Sequence, residues 1–126
     1  MTDISKTELE VMRVLWSCSP LNAKQIIDEL NLVGDKLWHE KTVKTLLTRL
    51  VKKQAVGFEK QQRSYLYRPL IEHQVYSEQA SKSLIERLFS GRVSPLVATF
   101  AKNKKLAKED VSELKKIIER WEQEHD

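Results

Sequence analysis

The stretch from Glu40 to Lys53 constrains the fold of this chain more than any other, because at helical spacing it divides into two chemically opposite faces. Val43, Leu46, Leu47 and Leu50 fall at i, i+3, i+4 and i+7, whereas Lys41, Thr42, Lys44, Thr45, Thr48, Arg49 and Lys52 fill the rest of the surface. The apolar face requires a protein core. The other offers cations to phosphates and short hydroxyl groups to base edges, a combination suited to a helix lying in a DNA major groove. An ordinary solvated basic face has the same composition, so the helix alone leaves both readings open.

Two helices are expected before it. Ser5-Lys6-Thr7-Glu8 has capping-box spacing, and Leu9, Met12, Leu15 and Trp16 follow as an apolar stripe that should end between Ser17 and Pro20. Asn22-Ala23-Lys24-Gln25 repeats the cap, with Ile26, Ile27 and Leu30 as the buried side of a short second helix. Gly34 and Asp35 mark a break. The third helix should run out near Lys53, where Gln54 takes the place of the glycine that most often closes a helix. A left-handed Gln54 would cost about 1 kcal/mol.

Beyond it, Val56-Gly57-Phe58-Glu59-Lys60 and Ser64-Tyr65-Leu66-Tyr67-Arg68 read as two short strands around Gln61-Gln62-Arg63, since aromatic residues at period two favour strand over helix. A long helix is expected from Ile71 to Phe89, with Val75, Ala80, Leu84, Leu88 and Phe89 apolar and Gly91 beyond its end. Ser94-Pro95 reads as an N-cap followed by proline at the first helical position, opening a helix with Leu96, Val97, Phe100 and Ala101 on one face. The last helix carries Val111, Leu114, Ile118 and Trp121 at heptad spacing, with Ile117 alongside.

Charge placement separates the two ends. Between Lys36 and Arg68 there are nine basic residues (Lys36, Lys41, Lys44, Arg49, Lys52, Lys53, Lys60, Arg63 and Arg68) against two acidic ones (Glu40 and Glu59), so this window alone exceeds the net +4 of all 126 residues. The remainder is net negative, and a local basic patch indicates an anionic partner more directly than a high total does. A chain of this length fits one compact domain, or a small domain with a helical arm, and leaves little room for a large internal active site. Three Gly and three Pro argue against an all-β fold. A single cysteine, Cys18, rules out an internal disulfide, and the N-terminus lacks a signal-peptide pattern. No apolar run approaches the length of a membrane span, so no membrane insertion and a reducing, cytoplasmic location are expected.

Helix, helix, basic helix and then a hairpin with Lys60 and Arg63 near its tip is the order of a winged helix-turn-helix domain. The expected fold is mainly α with a small β-hairpin (α+β), with a winged-helix domain at 1–70 and a helical dimerisation domain at 71–126. The apolar faces of the last three helices exceed what a small winged domain can cover, and a twofold homodimer is the commonest way to bury them. Dimerisation also raises DNA affinity by linking two modules.

These residues resemble the BlaI/MecI/CopY family of bacterial repressors over nearly the whole chain. The resemblance is carried by Glu8-Leu9-Glu10-Val11-Met12 with Trp16, by Lys41-Thr42-Val43-Lys44-Thr45-Leu46-Leu47-Thr48-Arg49-Leu50 with Lys52-Lys53, by the wing ending at Tyr65 and Tyr67, and by Ser94-Pro95-Leu96-Val97 with Phe100. It implies a homodimeric transcriptional repressor on a palindromic operator, controlling a gene of the antibiotic-resistance type. Lys41, Thr42, Lys44, Thr45 and Arg49 are then expected to face DNA, with Lys52 and Lys53 on phosphates. The resemblance also implies a membrane sensor metalloprotease as partner and a proteolytic switch at Thr99-Phe100, where family members with the switch commonly carry Asn before the Phe.

Copper-responsive members hold metal through a C-terminal cysteine cluster, and this chain has no cysteine beyond Cys18. His39, His73 and His125 lack metal-ligand spacing, so no metal site and no cofactor are expected. Nor is there a phosphate loop or an acid and base set at recognisable spacing, which weighs against an enzyme. The alternative from another class is a winged-helix protein-interaction module without direct DNA readout. Cys18 fits a buried small hydrophobe, an inert surface thiol or an oxidant-sensitive one. Trp16, Trp38 and Trp121 are assigned to core, hinge and dimer interface respectively.

Overall fold

The computed structural model describes residues 3–34 and 36–126. Asp35, read above as part of the break after the second helix, lies outside the described residues. The elements follow in the order α1 (Lys6–Ser17), α2 (Ala23–Val33), α3 (Glu40–Lys52), β1 (Val56–Gln61), β2 (Ser64–Pro69), α4 (His73–Phe89), α5 (Ser94–Lys102) and α6 (Lys108–Glu124). They divide into two compact units, the first ending at Gln79 and the second beginning at Ala80.

In the first unit both expected caps form. The Glu8 N–H donates to Ser5 Oγ at 3.2 Å and the Ser5 N–H to Glu8 Oε1 at 2.8 Å, and Asn22 and Gln25 exchange the same two bonds at 2.8 Å each. Each pair satisfies amide groups that the first turn of a helix leaves without partners. The buried face of α1 is Glu8, Val11, Met12 and Leu15. Leu9 and Trp16, placed on that stripe from sequence, lie at its half-buried edge, and Val11 occupies the centre. From α2 come Ile26 and Leu30, and from α3 Val43, Leu46, Leu47 and Leu50, all buried as the apolar spacing requires. Each such side chain contributes about 2 kcal/mol on burial.

Trp38 was assigned to a hinge, and the structure corrects this. It is buried in the same core, its backbone N–H donates to Asn31 Oδ1 at 2.8 Å, and Lys36 Nζ sits 4.6 Å from its ring centroid. A large aromatic ring beside apolar helix faces gains more from burial than from remaining in a flexible joint. Trp16 instead closes the unit's edge, donating from Nε1 to the Ile71 carbonyl at 2.9 Å and stacking on His73 at 4.5 Å between ring centroids.

α3 ends in a Schellman motif without glycine. The Gln54 N–H bonds to the Val51 carbonyl and the Ala55 N–H to the Leu50 carbonyl, both at 3.0 Å, with Gln54 at φ 62° and the Ala55 and Leu50 side chains both buried. The chain enters the wing at once. β1 and β2 pair antiparallel with Phe58 opposite Tyr67, Lys60 opposite Tyr65 and Gln61 opposite Ser64. The turn is therefore only Gln62-Arg63, with Gln62 at φ 57°. Leu21 exchanges backbone bonds with Tyr67 at 3.1 and 2.8 Å, tying the loop before α2 to the wing.

The second unit holds the rest of α4 with α5 and α6. α4 begins at His73 rather than Ile71, and α5 takes Val93 as its N-cap, so Ser94 is the first helical residue and Pro95 the next. Val93 has helical backbone angles and Ser94 makes no capping bond, which leaves proline within the first turn, where its missing N–H is tolerated. Among the described residues none of the three helices has a buried side chain.

Replacing Gln54 by glycine removes the left-handed strain while keeping both closing bonds. Gln54→Gly is expected to raise stability by about 0.5–1 kcal/mol in urea denaturation. A lower midpoint would contradict this account of the α3 terminus.

Candidate nucleic-acid interface

Because the apolar stripe of α3 is locked into the core, the opposite face is fixed outward. Lys41, Thr42, Lys44, Thr45, Thr48, Arg49 and Lys52 are all exposed. Glu40, Lys41, Lys44, Thr45 and Thr48 line one open concavity along the helix. The Thr45 hydroxyl donates to the Lys41 carbonyl at 3.0 Å and the Thr48 hydroxyl to the Lys44 carbonyl at 2.9 Å. Their protons are thereby committed to the helix, and what they turn outward is oxygen lone pairs and methyl groups.

Lys44 is paired with Glu40 one turn earlier, at 2.8 Å between Nζ and Oε1. The hydrogen bond and charge of Lys44 hold the Glu40 carboxyl below the usual carboxylate range, and the same contact raises the Lys44 ammonium. Both groups are well exposed, so the pair is easily opened by a competing anion.

Lys53 is set apart from the other cations. Its Nζ lies 2.6 Å from Oε1 of Glu8 and 2.6 Å from the Asp3 carbonyl, which joins the C-terminal end of α3 to the N-terminal turn of α1. Burial alone would raise the Glu8 carboxyl. Bonds from Lys53 and from the Ser5 backbone and hydroxyl, together with the Lys53 charge, outweigh it and hold the group below its ordinary value. Sequence reasoning found Glu8 as a cap but not as a buried ion-pair partner. The signal was present: Glu8 precedes Val11, Met12 and Leu15 by three, four and seven residues, which is the inward face.

On the wing, Lys60 and Arg63 are exposed, Lys60 sharing a strand face with Phe58, Tyr65 and Tyr67. Phe58 packs edge-on against Tyr65 at 5.2 Å between centroids. Burial raises the Tyr67 phenol, which the Lys44 charge partly offsets, so the wing's inner aromatic lies within electrostatic reach of α3. Leu47, Thr48, Val51 and Lys52 of α3 line a groove with Phe58, Tyr65 and Tyr67.

The dimerisation candidates lie in the second unit. Leu96, Val97 and Leu114 are half-buried, whereas Phe100, Val111, Ile117, Ile118 and Trp121 are exposed, Ile117 and Trp121 by 59% and 58%. Trp121 stacks on His125 at 4.2 Å. Thr99 lies inside α5, its hydroxyl donating to the Pro95 carbonyl at 2.9 Å, so the Thr99-Phe100 peptide bond is helical. Cys18 is exposed. Among the described residues no group of three or more His, Cys, Asp or Glu side chains is placed to hold a metal ion, and no helix is long and apolar enough to cross a membrane.

Three helices, a hairpin wing and a cationic third helix define a winged-helix DNA-binding protein. The profile of the family described as Penicillinase repressor matches residues 4–120, and the chain belongs to that family. It is 38% identical over 116 residues to the penicillinase repressor of Bacillus licheniformis, covering 92% of this chain and 89% of that protein. It is 32% identical over 116 residues to the methicillin resistance regulatory protein MecI of Staphylococcus aureus (strain N315), covering 92% and 93%. The solved DNA binding domain of the repressor BlaI matches with a TM-score of 0.52 at 40% identity, over 60% of this chain and 89% of that one. The chain is accordingly a BlaI/MecI-type DNA-binding repressor, and not an enzyme.

The Glu8–Lys53 pair generates a prediction about stability. Lys53→Met leaves a buried carboxylate without its cation and is expected to cost about 2 kcal/mol. Because the folded-state value of Glu8 is depressed, its contribution is present above the unfolded carboxylate range, about 4.3, and is lost as pH falls through the folded value. The stability difference between the unmodified protein and Glu8→Gln should therefore shrink as pH falls below the ordinary carboxylate range, about 4.3. A pH-independent difference in urea denaturation would contradict the ion-pair account.

Proposed function

We propose that the chain represses a resistance-type gene as a homodimer, each protomer placing α3 in the major groove of one half of a palindromic operator. The observation that carries this is the exposed face of α3, where cations and outward-facing threonines are held rigid by a fully buried opposite face. We assign Lys41, Thr42, Lys44, Thr45, Thr48 and Arg49 to the groove, Lys52 to a phosphate, and Lys60 and Arg63 to the flanking backbone or minor groove. Lys53 was grouped with Lys52 from sequence, but its ion pair with Glu8 favours a structural role, joining α1 to α3. The names of the relatives, penicillinase repressor and methicillin resistance regulatory protein, support the class of gene.

DNA binding is assigned to residues 1–70 and dimerisation to 71–126. The second unit's lack of any buried side chain among the described residues supports pairing with another copy, since exposed Phe100, Val111, Ile117, Ile118 and Trp121 have apolar area to cover. Release by a membrane sensor metalloprotease cutting at Thr99-Phe100 fits this layout, because the cut would sever α6 from the DNA-binding unit. That bond lies within helical α5, so cleavage requires α5 to unwind locally first. The setting is cytoplasmic, where the operator is.

Two experiments test the reading. In gel-shift titrations, Lys44→Ala and Arg49→Ala should each weaken operator binding by about 1–3 kcal/mol, whereas Lys52→Ala should weaken all sequences alike and flatten the salt dependence by about one unit of slope. Unchanged operator affinity in both of the first two variants would remove α3 from the interface. In analytical ultracentrifugation the unmodified protein should sediment as a dimer and Ile118→Glu as a monomer with reduced operator affinity. A monomeric unmodified protein would overturn the dimer.

A further inference from the structure

Glu40 is the one carboxylate in α3, and it stands at the first helical residue, the end of a recognition helix whose side chains reach base edges. An acid there is unfavourable beside phosphates, so its presence calls for an explanation that the cationic face does not provide. Locally it supports the helix N-terminus and pairs with Lys44. In a complex, a carboxylate that turns away from Lys44 needs another hydrogen-bond donor. Phosphate oxygens offer none, and in the major groove the donors are the exocyclic amines, cytosine N4 and adenine N6.

Adenine places its N7 acceptor beside N6, which a carboxylate cannot satisfy. Cytosine N4 has no such neighbour on its own base, and the guanine paired with it presents O6 and N7 as acceptors. The Glu40–Lys44 pair is a matching couple, with acceptor and donor 2.8 Å apart on the concave outer face of α3. Thr45 and Thr48 lie along the same concavity with their hydroxyl protons already committed, adding acceptors and methyls rather than competing donors.

We infer that Glu40 is a specificity-determining residue of the DNA-binding face: with Lys44 it reads one C·G base pair in each half-site, its carboxylate accepting from cytosine N4 while the Lys44 ammonium donates to the paired guanine. This rests on the proposed repressor function. It assigns the pair two states, closed on itself in the free protein and opened onto the base pair in the complex. It also gives Glu40 a role opposite to that of the surrounding cations, lowering affinity for DNA in general and raising selectivity at one position.

The test is selection from a randomised operator library with the unmodified protein, Glu40→Ala and Glu40→Gln, sequencing the bound fraction. Circular dichroism of each variant verifies that this exposed position leaves the fold intact. The unmodified protein should prefer C·G at one position per half-site by about tenfold. Glu40→Ala should lose the preference at that position alone while binding random DNA more tightly. Glu40→Gln, which carries both donor and acceptor, should shift the preference there toward adenine. If Glu40→Ala keeps every positional preference and changes affinity uniformly, Glu40 is only a local helix support and the inference is overturned. If the unmodified protein selects no sequence at all, the repressor reading fails and this inference fails with it.

Discussion

The burial of one face of α3 is the constraint on which the rest of the first unit depends. Val43, Leu46, Leu47 and Leu50 pack into a core supplied by Val11, Met12 and Leu15 of α1, Ile26 and Leu30 of α2, and Trp38. Fixing that stripe fixes the rotation of the helix about its axis, and so determines which side chains face solvent. A rotation of one residue would bring Lys44 or Thr48 inward, and an unpaired ammonium in a core is prohibitively unfavourable. The DNA-reading role proposed for this face thus rests on core packing, which carries the assigned residues on an element that cannot turn.

Two polar devices hold that packing at the C-terminal end of α3. The Schellman closure at Gln54 and Ala55 turns the chain directly into β1, so the wing begins where α3 stops. Beside it, the Glu8–Lys53 ion pair links the start of α1 to the end of α3, and the Ser5 N–H donates to the same Glu8 carboxylate oxygen. The Leu21–Tyr67 bridge adds a third tie, between the loop before α2 and the wing. Helix and wing are therefore positioned against each other by hydrogen bonds as well as by burial, which the placement of Tyr67 near Lys44 reflects.

Much of the first unit was legible in the sequence because its signals are local. Ser5 with Glu8, Asn22 with Gln25, the α3 stripe and the alternating Tyr65 and Tyr67 each specify an element within a few residues, and each element formed. What was not legible depends on long-range contact. Nothing within reach of Trp38 in the chain indicates that α1 and α2 converge on it, and Lys53 looks like any other cation of α3 until Glu8, 45 residues away, is brought to it. The exact start of α5 also eluded pattern, since Ser94-Pro95 fits either of two adjacent cap registers and only the backbone angles at Val93 decide between them. The residues that would read DNA were found by face and charge, but the separate character of Glu40 and the committed hydroxyls of Thr45 and Thr48 needed geometry.

The DNA-contacting surface proposed for this chain is one rigid face of α3, framed by the wing. Titrating isotope-labelled protein with an operator duplex and following backbone and side-chain NMR shifts tests it most directly. The largest shifts should fall on Lys41, Lys44, Thr45, Thr48 and Arg49 with Lys60 and Arg63 at the wing, leaving the Lys53 contact with Glu8 in place. Shifts concentrated on α5 and α6 with the outer face of α3 silent would contradict it.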